Sequence, residues 1–184
     1  QDAFVGRVID MFKELGLYEE TVFVVVGDHG EGFGEHRIFQ HDNTIYEEGI
    51  RIPYLVHDPL RAGERLDQPA NQLAVLPTAV DALGFDLVSE HAYEPSLYSG
   101  LPQGPLVATC LARGKCTAVV DGDLKLIHHF GDRRDEVFDL AQDPYELTDL
   151  AASADPVWMA SLRDQALAWY VEAEALYEAH RAGS

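Results

Sequence analysis

One segment of this chain concentrates side chains that bind metals and transfer protons. Residues 27–43, here called the histidine loop, read GDHGEGFGEHRIFQHDN and directly follow the apolar run TVFVVV. Asp28 and His29 supply a carboxylate oxygen and an imidazole nitrogen, which can ligate one cation. The pair predicts a divalent metal site, with Ca, Mn, Mg or Zn as the candidate ions. The alternative is that Asp28 caps the following turn and His29 is an ordinary loop residue.

Two more histidines follow the candidate metal pair in the same loop. His36 and His41 lie five residues apart. Each alone is typical of a solvated or core histidine. Together they could ligate a second metal, contact an anionic substrate or protonate a leaving group. We predict both as catalytic residues, His41 also as a substrate contact. Arg51 is predicted to bind a sulfate or phosphate oxygen, with an ion pair to Glu47 or Glu48 as the alternative.

The positions of the glycines in the loop argue against a nucleotide ligand. Gly30, Gly32 and Gly34 allow the backbone to approach a ligand closely and to adopt positive φ angles. They do not form the G-x-G-x-x-G motif of dinucleotide-binding sites, and Glu31 and Glu35 would repel a phosphate at the loop itself. A nucleotide cofactor is therefore not predicted.

The elements before and after the loop predict an α/β fold. A helical pattern ends at Gly16, and the run 21–26 lacks alternation, as in a parallel strand buried on both faces. IPYLVH predicts the next strand, after a short helix or turn in IYEEGIR, and LAVLPTAVDALG predicts a helix. Ligands of open α/β sheets bind beyond the carboxyl ends of the strands. Asp28 and His29 are therefore predicted at the end of a central strand.

The second part of the chain has a different sequence pattern, with short strand-like runs followed by one helix. LVATCLA, CTAVVDGDLKLIHHF and EVFDL predict a small antiparallel sheet with DGD as a hairpin turn. A last helix begins at Asp155 and Pro156. We therefore divide the chain into residues 1–105 and 106–184. An apolar stripe on the last helix is predicted to pack against the sheet; it comprises Trp158, Leu162, Ala166, Trp169, Ala173 and Leu176.

Composition excludes some classes of partner. The formal charge of −19 argues against nucleic-acid binding, and no apolar stretch approaches the length of a membrane span. The chain begins with QDAFVGRVID, without Met or a signal peptide, so we expect it to be part of a longer protein. Cys110 and Cys116 predict a disulfide or a pair of inert thiols, since no second Cys/His pair with zinc spacing accompanies them. Compartment and oligomeric state are left open.

Several motifs, in order, resemble one family. TVFVVVGDHGEGFGEHRIFQHDNTIYEEGIRIPYLV resembles the C-terminal metal segment of the sulfatases, in the alkaline phosphatase superfamily. LAVLPTAVDALGF and GDLKLIHHF…EVFDLAQDPYELTDLA resemble the helix and closing hairpin that follow it in that family. The resemblance implies part of a three-layer αβα sheet with a small C-terminal antiparallel β-sheet plus helix. It also implies that Asp28 and His29 are metal ligands. His41 lies one position from the substrate-binding lysine of many sulfatases.

The resemblance implies hydrolysis of a sulfate or phosphate ester by the full-length protein. The family's nucleophile lies in a Cys/Ser-x-Pro-x-Arg segment, which this chain lacks. We therefore expect the chain alone to be inactive and its missing N-terminal half to be its partner. Two alternatives remain. One is a phosphodiesterase, phosphonate hydrolase or phosphoglycerol-type transferase of the same superfamily. The other is a non-catalytic metal-binding or structural module.

Overall fold

The computed structural model describes most of the chain. It covers residues 2–39, 41, 45–88, 94–100, 104–110 and 116–182, without the side chains of His180 and Ala182. The helices are α1 (Asp2–Glu14), α2 (Glu47–Ile50), α3 (Val75–Ala82) and α4 (Pro156–Ala182). The strands are β1 (Phe23–Val26), β2 (Tyr54–His57), β3 (Leu106–Thr109), β4 (Cys116–Asp121), β5 (Leu124–His129) and β6 (Glu136–Asp139).

The chain forms two compact units that interleave along the sequence. The first unit contains residues 1–27 and 53–101, and the second contains residues 28–52 and 102–184. Nearly the whole histidine loop, together with α2, therefore belongs to the same unit as the C-terminal sheet and helix. The division of the chain between residues 105 and 106 into two domains stays a prediction.

The first unit contains a two-stranded antiparallel sheet. β1 pairs with β2 so that Phe23 lies opposite His57 and Val26 opposite Tyr54. The predicted strand is present, but the expectation of a buried central strand in a parallel sheet is wrong for the described residues. All four residues of β1 are partly exposed, and β2 is its one strand neighbour there. An apolar run without alternation indicates a strand but does not specify its neighbours.

The second unit is built on a four-stranded antiparallel sheet in the order β3-β4-β5-β6. This confirms the predicted small sheet. Its hairpin turns at Gly122, whose φ of 60° favours glycine. One face of the sheet packs against α4, whose Leu162 and Ala166 are buried. Of the predicted stripe, Leu162 and Ala166 are the residues that are buried. Leu176, near the end of α4, is 60% exposed.

The opposite face of this sheet is also covered. Ala118, Ile127 and Phe138 pack against Ile45 and Tyr46, which directly precede α2. The sheet thus has two buried faces, and the segment that leads out of the histidine loop covers one of them. A disulfide joins Cys110 to Cys116, with the two Cα atoms 5.3 Å apart.

The last helix begins as the sequence predicts. Asp155 accepts a hydrogen bond from the backbone amide of Val157 at 2.9 Å, which caps the first turn. No helix within the described residues has both the length and the apolar composition needed to cross a membrane.

Candidate metal and substrate site

A close backbone contact fixes the start of the histidine loop to α2. The amide of Gly30 donates a hydrogen bond to the carbonyl of Gly49 at 2.8 Å. A Cβ atom at Gly30 would lie 2.1 Å from the carbonyl oxygen of Glu48. The predicted close approach is therefore to the chain's own backbone. Gly34 has the predicted positive φ, at 121°, whereas Gly32 does not.

Asp28 and His29 face each other beside this contact. His29 Nδ1 lies 2.7 Å from the carbonyl oxygen of Gly30 and must carry a proton to donate to it. The other ring nitrogen, Nε2, lies 3.6 Å from Asp28 Oδ2. A metal-ligating histidine commonly donates its second ring N–H to a carbonyl in this way. Asp28 Oδ1 also accepts from the His29 amide at 3.1 Å, as a turn cap would.

The spacing of these two groups suits a shared cation. Ligand bonds of about 2.0–2.2 Å place neighbouring ligand atoms of one ion about 3–3.6 Å apart. The side chains of Asp28 and His29 are 91% and 45% exposed, so an ion and further ligands can reach them. Among the described residues, no three His, Cys, Asp or Glu side chains form a group that could hold a metal. Within the described residues, Asp28 and His29 are thus the two candidate ligands that the sequence predicted.

His41 joins this pair through its ring. It stacks on His29 with ring centroids 4.2 Å apart and an interplanar angle of 18°. Its Nδ1 lies 3.0 Å from Glu31 Oε2. We call Asp28, His29, Glu31 and His41 the open cluster. Glu31 was not predicted as a partner, because sequence reasoning treated it only as a source of negative charge. Asp42 of the same loop lies outside the described residues.

His36 occupies a different environment. Its Nδ1 lies 2.8 Å from Glu48 Oε1, and its Nε2 lies 3.0 Å from the carbonyl oxygen of Glu146. Its ring stacks on Tyr46 with centroids 3.8 Å apart and an interplanar angle of 5°. Both ring nitrogens therefore contact acceptors of the chain itself.

A buried lysine connects the same region to the C-terminal sheet. Lys125 Nζ lies 3.0 Å from Glu47 Oε1 and 2.8 Å from Glu146 Oε1. The side chains of Lys125 and Glu146 are fully buried. Burial raises the pKa of Glu146, while Lys125 acts in the opposite direction. We call His36, Glu47, Glu48, Lys125 and Glu146 the buried cluster.

The backbone at His36 is strained. His36 has a φ of 47° and Arg37 a φ of 61°, both in the left-handed region that few residues other than glycine adopt. That conformation costs about 1–2 kcal/mol per residue. Contacts of the loop must therefore hold these two residues in place. Backbone hydrogen bonds join Gly34 to Arg37 and Ile38, and the ring of His36 contributes its two side-chain contacts.

Comparisons with known proteins show which family this chain is similar to. The family model described as Sulfatase matches residues 1–85. Choline-sulfatase of Rhizobium meliloti is 26% identical over 186 residues, which are 94% of this chain and 36% of that protein. The multifunctional alkaline phosphatase superfamily protein PehA of Trinickia caryophylli is 27% identical over 198 residues, 91% of this chain and 38% of that protein. The chain is thus similar to members of the sulfatase family.

Solved structures show the same fold. The structure of a 2-O GAG sulfatase superposes on this chain with a TM-score of 0.69 at 21% sequence identity. The match covers 97% of this chain and 41% of the sulfatase chain. Phosphonate monoester hydrolase of Agrobacterium radiobacter gives a TM-score of 0.65 at 23% identity, with 97% and 39% covered. The chain thus has the alkaline phosphatase-like α/β fold of these structures. The chain spans about two fifths or less of the length of these relatives.

Arg51 is exposed. Glu47 pairs with Lys125 and Glu48 with His36, and no ion pair joins Arg51 to either glutamate within the described residues. The contact of Arg51 with an anion stays a prediction.

Tyr46 provides a fixed platform for His36. Its hydroxyl donates to Glu136 Oε2 at 2.9 Å, and Arg133 donates to the same hydroxyl oxygen at 2.9 Å. Burial, together with the hydrogen bond to Glu136, raises the pKa of Tyr46 to about 12. Tyr46 therefore stays neutral, and its ring position is set by the sheet on which it packs.

Proposed function

We propose that the full-length protein containing this chain is a metal-dependent sulfuric ester hydrolase. The observation that carries the proposal is the pair of facing groups, Asp28 Oδ2 and His29 Nε2, 3.6 Å apart and accessible from outside. Relatives named choline-sulfatase and arylsulfatase support a sulfate ester as the substrate.

Each member of the open cluster has a role in this proposal. Asp28 and His29 would hold a divalent ion, which supplies positive charge to the non-bridging oxygens of the ester. Glu31 orients His41 through Nδ1. A protonated His41 can then donate a hydrogen bond to an ester oxygen or to the leaving oxygen. Arg51 is the second candidate contact to the sulfate.

His36 is given a different role from the one that the sequence predicted. Its two ring nitrogens are already engaged by Glu48 and by the carbonyl of Glu146. We therefore propose that His36 positions the loop and does not contact the substrate. The nucleophile and the remaining metal ligands belong, in this proposal, to a part of the protein outside this chain. One edge of β1 has no strand neighbour within the described residues, and α1 exposes apolar residues such as Phe4 and Met11; both are candidate contacts for that part.

The test uses the full-length protein and two substrates. Hydrolysis of 4-nitrophenyl sulfate should require a divalent ion and stop on chelation. Asp28→Ala should lower kcat/KM by about a thousandfold, since a metal contributes several kcal/mol to stabilising the transition state. Asp28 is highly exposed, so the fold should be unchanged. The matched control is Asp10→Ala, which removes an exposed aspartate of α1.

Two outcomes would change the proposal. Hydrolysis of a phosphonate monoester in preference to the sulfate would assign the protein to the phosphorus ester class, which some relatives represent by name. Full activity of the Asp28→Ala variant would remove the metal role of the pair. The isolated 184-residue chain should show no turnover of either substrate, and turnover there would reveal a nucleophile within it.

A further inference from the structure

We propose that His36 is a cationic latch, a positioning residue that holds the histidine loop to α2 and to the turn at Glu146 within the second unit by donating hydrogen bonds from both ring nitrogens. The latch joins the loop to the turn that contains Glu146. Its effect on activity rests on the function proposed above, whereas its effect on the loop can be measured without any substrate.

The hydrogen-bond partners of His36 carry the argument. A neutral imidazole has one donor nitrogen and one acceptor nitrogen. Here Nδ1 faces the carboxylate of Glu48 and Nε2 faces the carbonyl oxygen of Glu146, at 2.8 and 3.0 Å. Neither partner atom can donate to the ring when Glu48 is ionised. Only the imidazolium form, with a proton on both nitrogens, satisfies both contacts.

The surrounding charges favour the same form. Glu47, Glu48 and Glu146 contribute three carboxyl groups to the buried cluster, and Lys125 supplies one cation. A protonated His36 supplies the second. Burial lowers the pKa of His36, but the hydrogen bond to the Glu146 carbonyl and the charge of Glu48 outweigh it and leave the pKa above its ordinary value.

The other groups near His36 do not replace its role. Tyr46 stacks on the ring, with its own hydroxyl directed to Glu136. Glu35, the preceding residue, accepts from the backbone amide of Phe33 at 2.6 Å. Arg37, the following residue, is exposed and lies in the left-handed region next to His36.

The latch predicts a pH dependence of definite sign. Because the folded-state pKa of His36 is raised, the latch is fully formed below the ordinary histidine pKa and is lost as pH rises through the folded value. Deprotonation leaves one ring nitrogen facing an acceptor without a hydrogen between them. The strained backbone of His36 and Arg37 can then relax, and the segment between His29 and His41 loosens.

Trypsin provides a direct probe of this loosening in the full-length protein. Cleavage after Arg37 is compared with cleavage after Arg65, an exposed arginine that serves as the reference at each pH. The ratio of the two rates should rise about tenfold between pH 6 and pH 9 as the loop opens locally. A ratio that does not change with pH would overturn the latch. This measurement needs no variant, so poor folding of a mutant cannot obscure it.

Variants then separate charge from shape. In His36→Gln, the ratio of cleavage after Arg37 to cleavage after Arg65 should be high at every pH. His36→Arg should keep the ratio low throughout, because a guanidinium stacks on an aromatic ring, donates to two acceptors and does not titrate. The matched control is His128→Gln, since His128 also holds a carboxylate, that of Asp135, through Nδ1 at 2.8 Å. It should leave the ratio and its pH dependence as in the parent protein.

The activity of the full-length protein distinguishes the two proposals. In the parent protein, kcat should decline as the pH rises and the latch is lost. This decline should be shifted in His36→Arg, and in His36→Gln kcat should already be reduced at pH 6. If no ester is hydrolysed but the trypsin ratio responds as described, the hydrolase proposal fails and the latch stands. If esters are hydrolysed with the same pH profile in all variants, the latch has no role in positioning the site.

Discussion

The open cluster and the buried cluster contain the same kinds of side chain but differ in exposure and in the groups that these side chains contact. Both combine histidines with carboxylates in the second unit. In the open cluster the Asp28 carboxylate is almost fully exposed and lies 3.6 Å from His29 Nε2. In the buried cluster, Lys125 and Glu146 are fully buried, and the nitrogens of His36 contact acceptors of the same chain.

The difference shows how residue type alone fails to identify a binding site. A buried charge must be neutralised by partners within the fold, since an unpaired one is strongly unfavourable. An exposed pair is under no such constraint and can be completed by an ion or a substrate. Exposure, and which nitrogen of each histidine is already used, separates the two clusters. The predictions below test that separation, from the largest effect to the smallest.

Replacement of the buried cation should have the largest effect. Lys125→Met leaves Glu146 buried without its cation, which costs about 3–5 kcal/mol. The thermal unfolding midpoint of the chain should fall by about 10 °C. The control is Lys13→Met, because Lys13 is exposed and lies 4.0 Å from Asp10. The control should change the stability by less than about 0.5 kcal/mol. Equal effects of the two variants would mean that Lys125 is not part of a buried cluster.

A backbone contact between the loop and α2 gives the next largest effect. Gly30→Ala places a Cβ where the carbonyl of Glu48 lies, so the backbone must shift. We expect a loss of about 1–3 kcal/mol in the free energy of unfolding, as in other overpacked sites. Gly63→Ala is the control, because a Cβ there meets no atom within 4 Å. Denaturant titration of both variants measures the difference. An unchanged Gly30→Ala stability would mean that the loop start is not fixed to α2.

The fold was predictable where the sequence pattern is local. The DGD turn, the alternating runs beside it and the Asp155 cap all depend on neighbouring residues, and the hairpin and α4 form as expected. The pairing of β1 was not predictable, because a run of Val and Phe fixes neither the direction nor the number of neighbouring strands. The assignment of residues 28–52 to the second unit depends on long-range packing, of which the sequence carries no local sign.

The site was predictable in its residue types but not in its internal contacts. The adjacent Asp28 and His29 stand out at the start of a loop, and their roles stay a prediction. Lys125 lies in the strand segment LKLIHH and was not predicted as part of a cluster. It is buried because the segment around Tyr46 covers this face of the sheet, a packing that is not visible in the local sequence. The same packing engages His36, so its function could not be judged from its spacing to His41.

A smaller effect tests the partner of His41. Glu31→Gln keeps the size of the side chain but removes the charge that holds Nδ1 of His41. We expect kcat/KM of the full-length protein to fall about tenfold, as when an orienting carboxylate is removed from a catalytic or metal-bound histidine. Glu35→Gln is the control in the same loop, since an amide oxygen can still accept from the amide of Phe33. Equal losses in both variants would indicate a general effect on the loop.

The smallest effect is expected from metal added to the isolated chain. Zinc sites that retain their ion use three or four protein ligands, and Ca²⁺ takes six to eight oxygens. Asp28 and His29 supply two groups, and no described cluster supplies three. At a metal concentration equal to Kd, binding stabilises a protein by only about 0.4 kcal/mol. Calorimetric titration of the 184-residue chain with Zn²⁺, Mn²⁺ and Ca²⁺ should therefore show weak binding, with dissociation constants well above the micromolar range. A stoichiometric sub-micromolar site that His29→Ala abolishes would mean that the open cluster is complete without any other part of the protein. The contrast between an exposed cluster that needs further ligands and a buried cluster whose charges are paired within the chain would then be wrong.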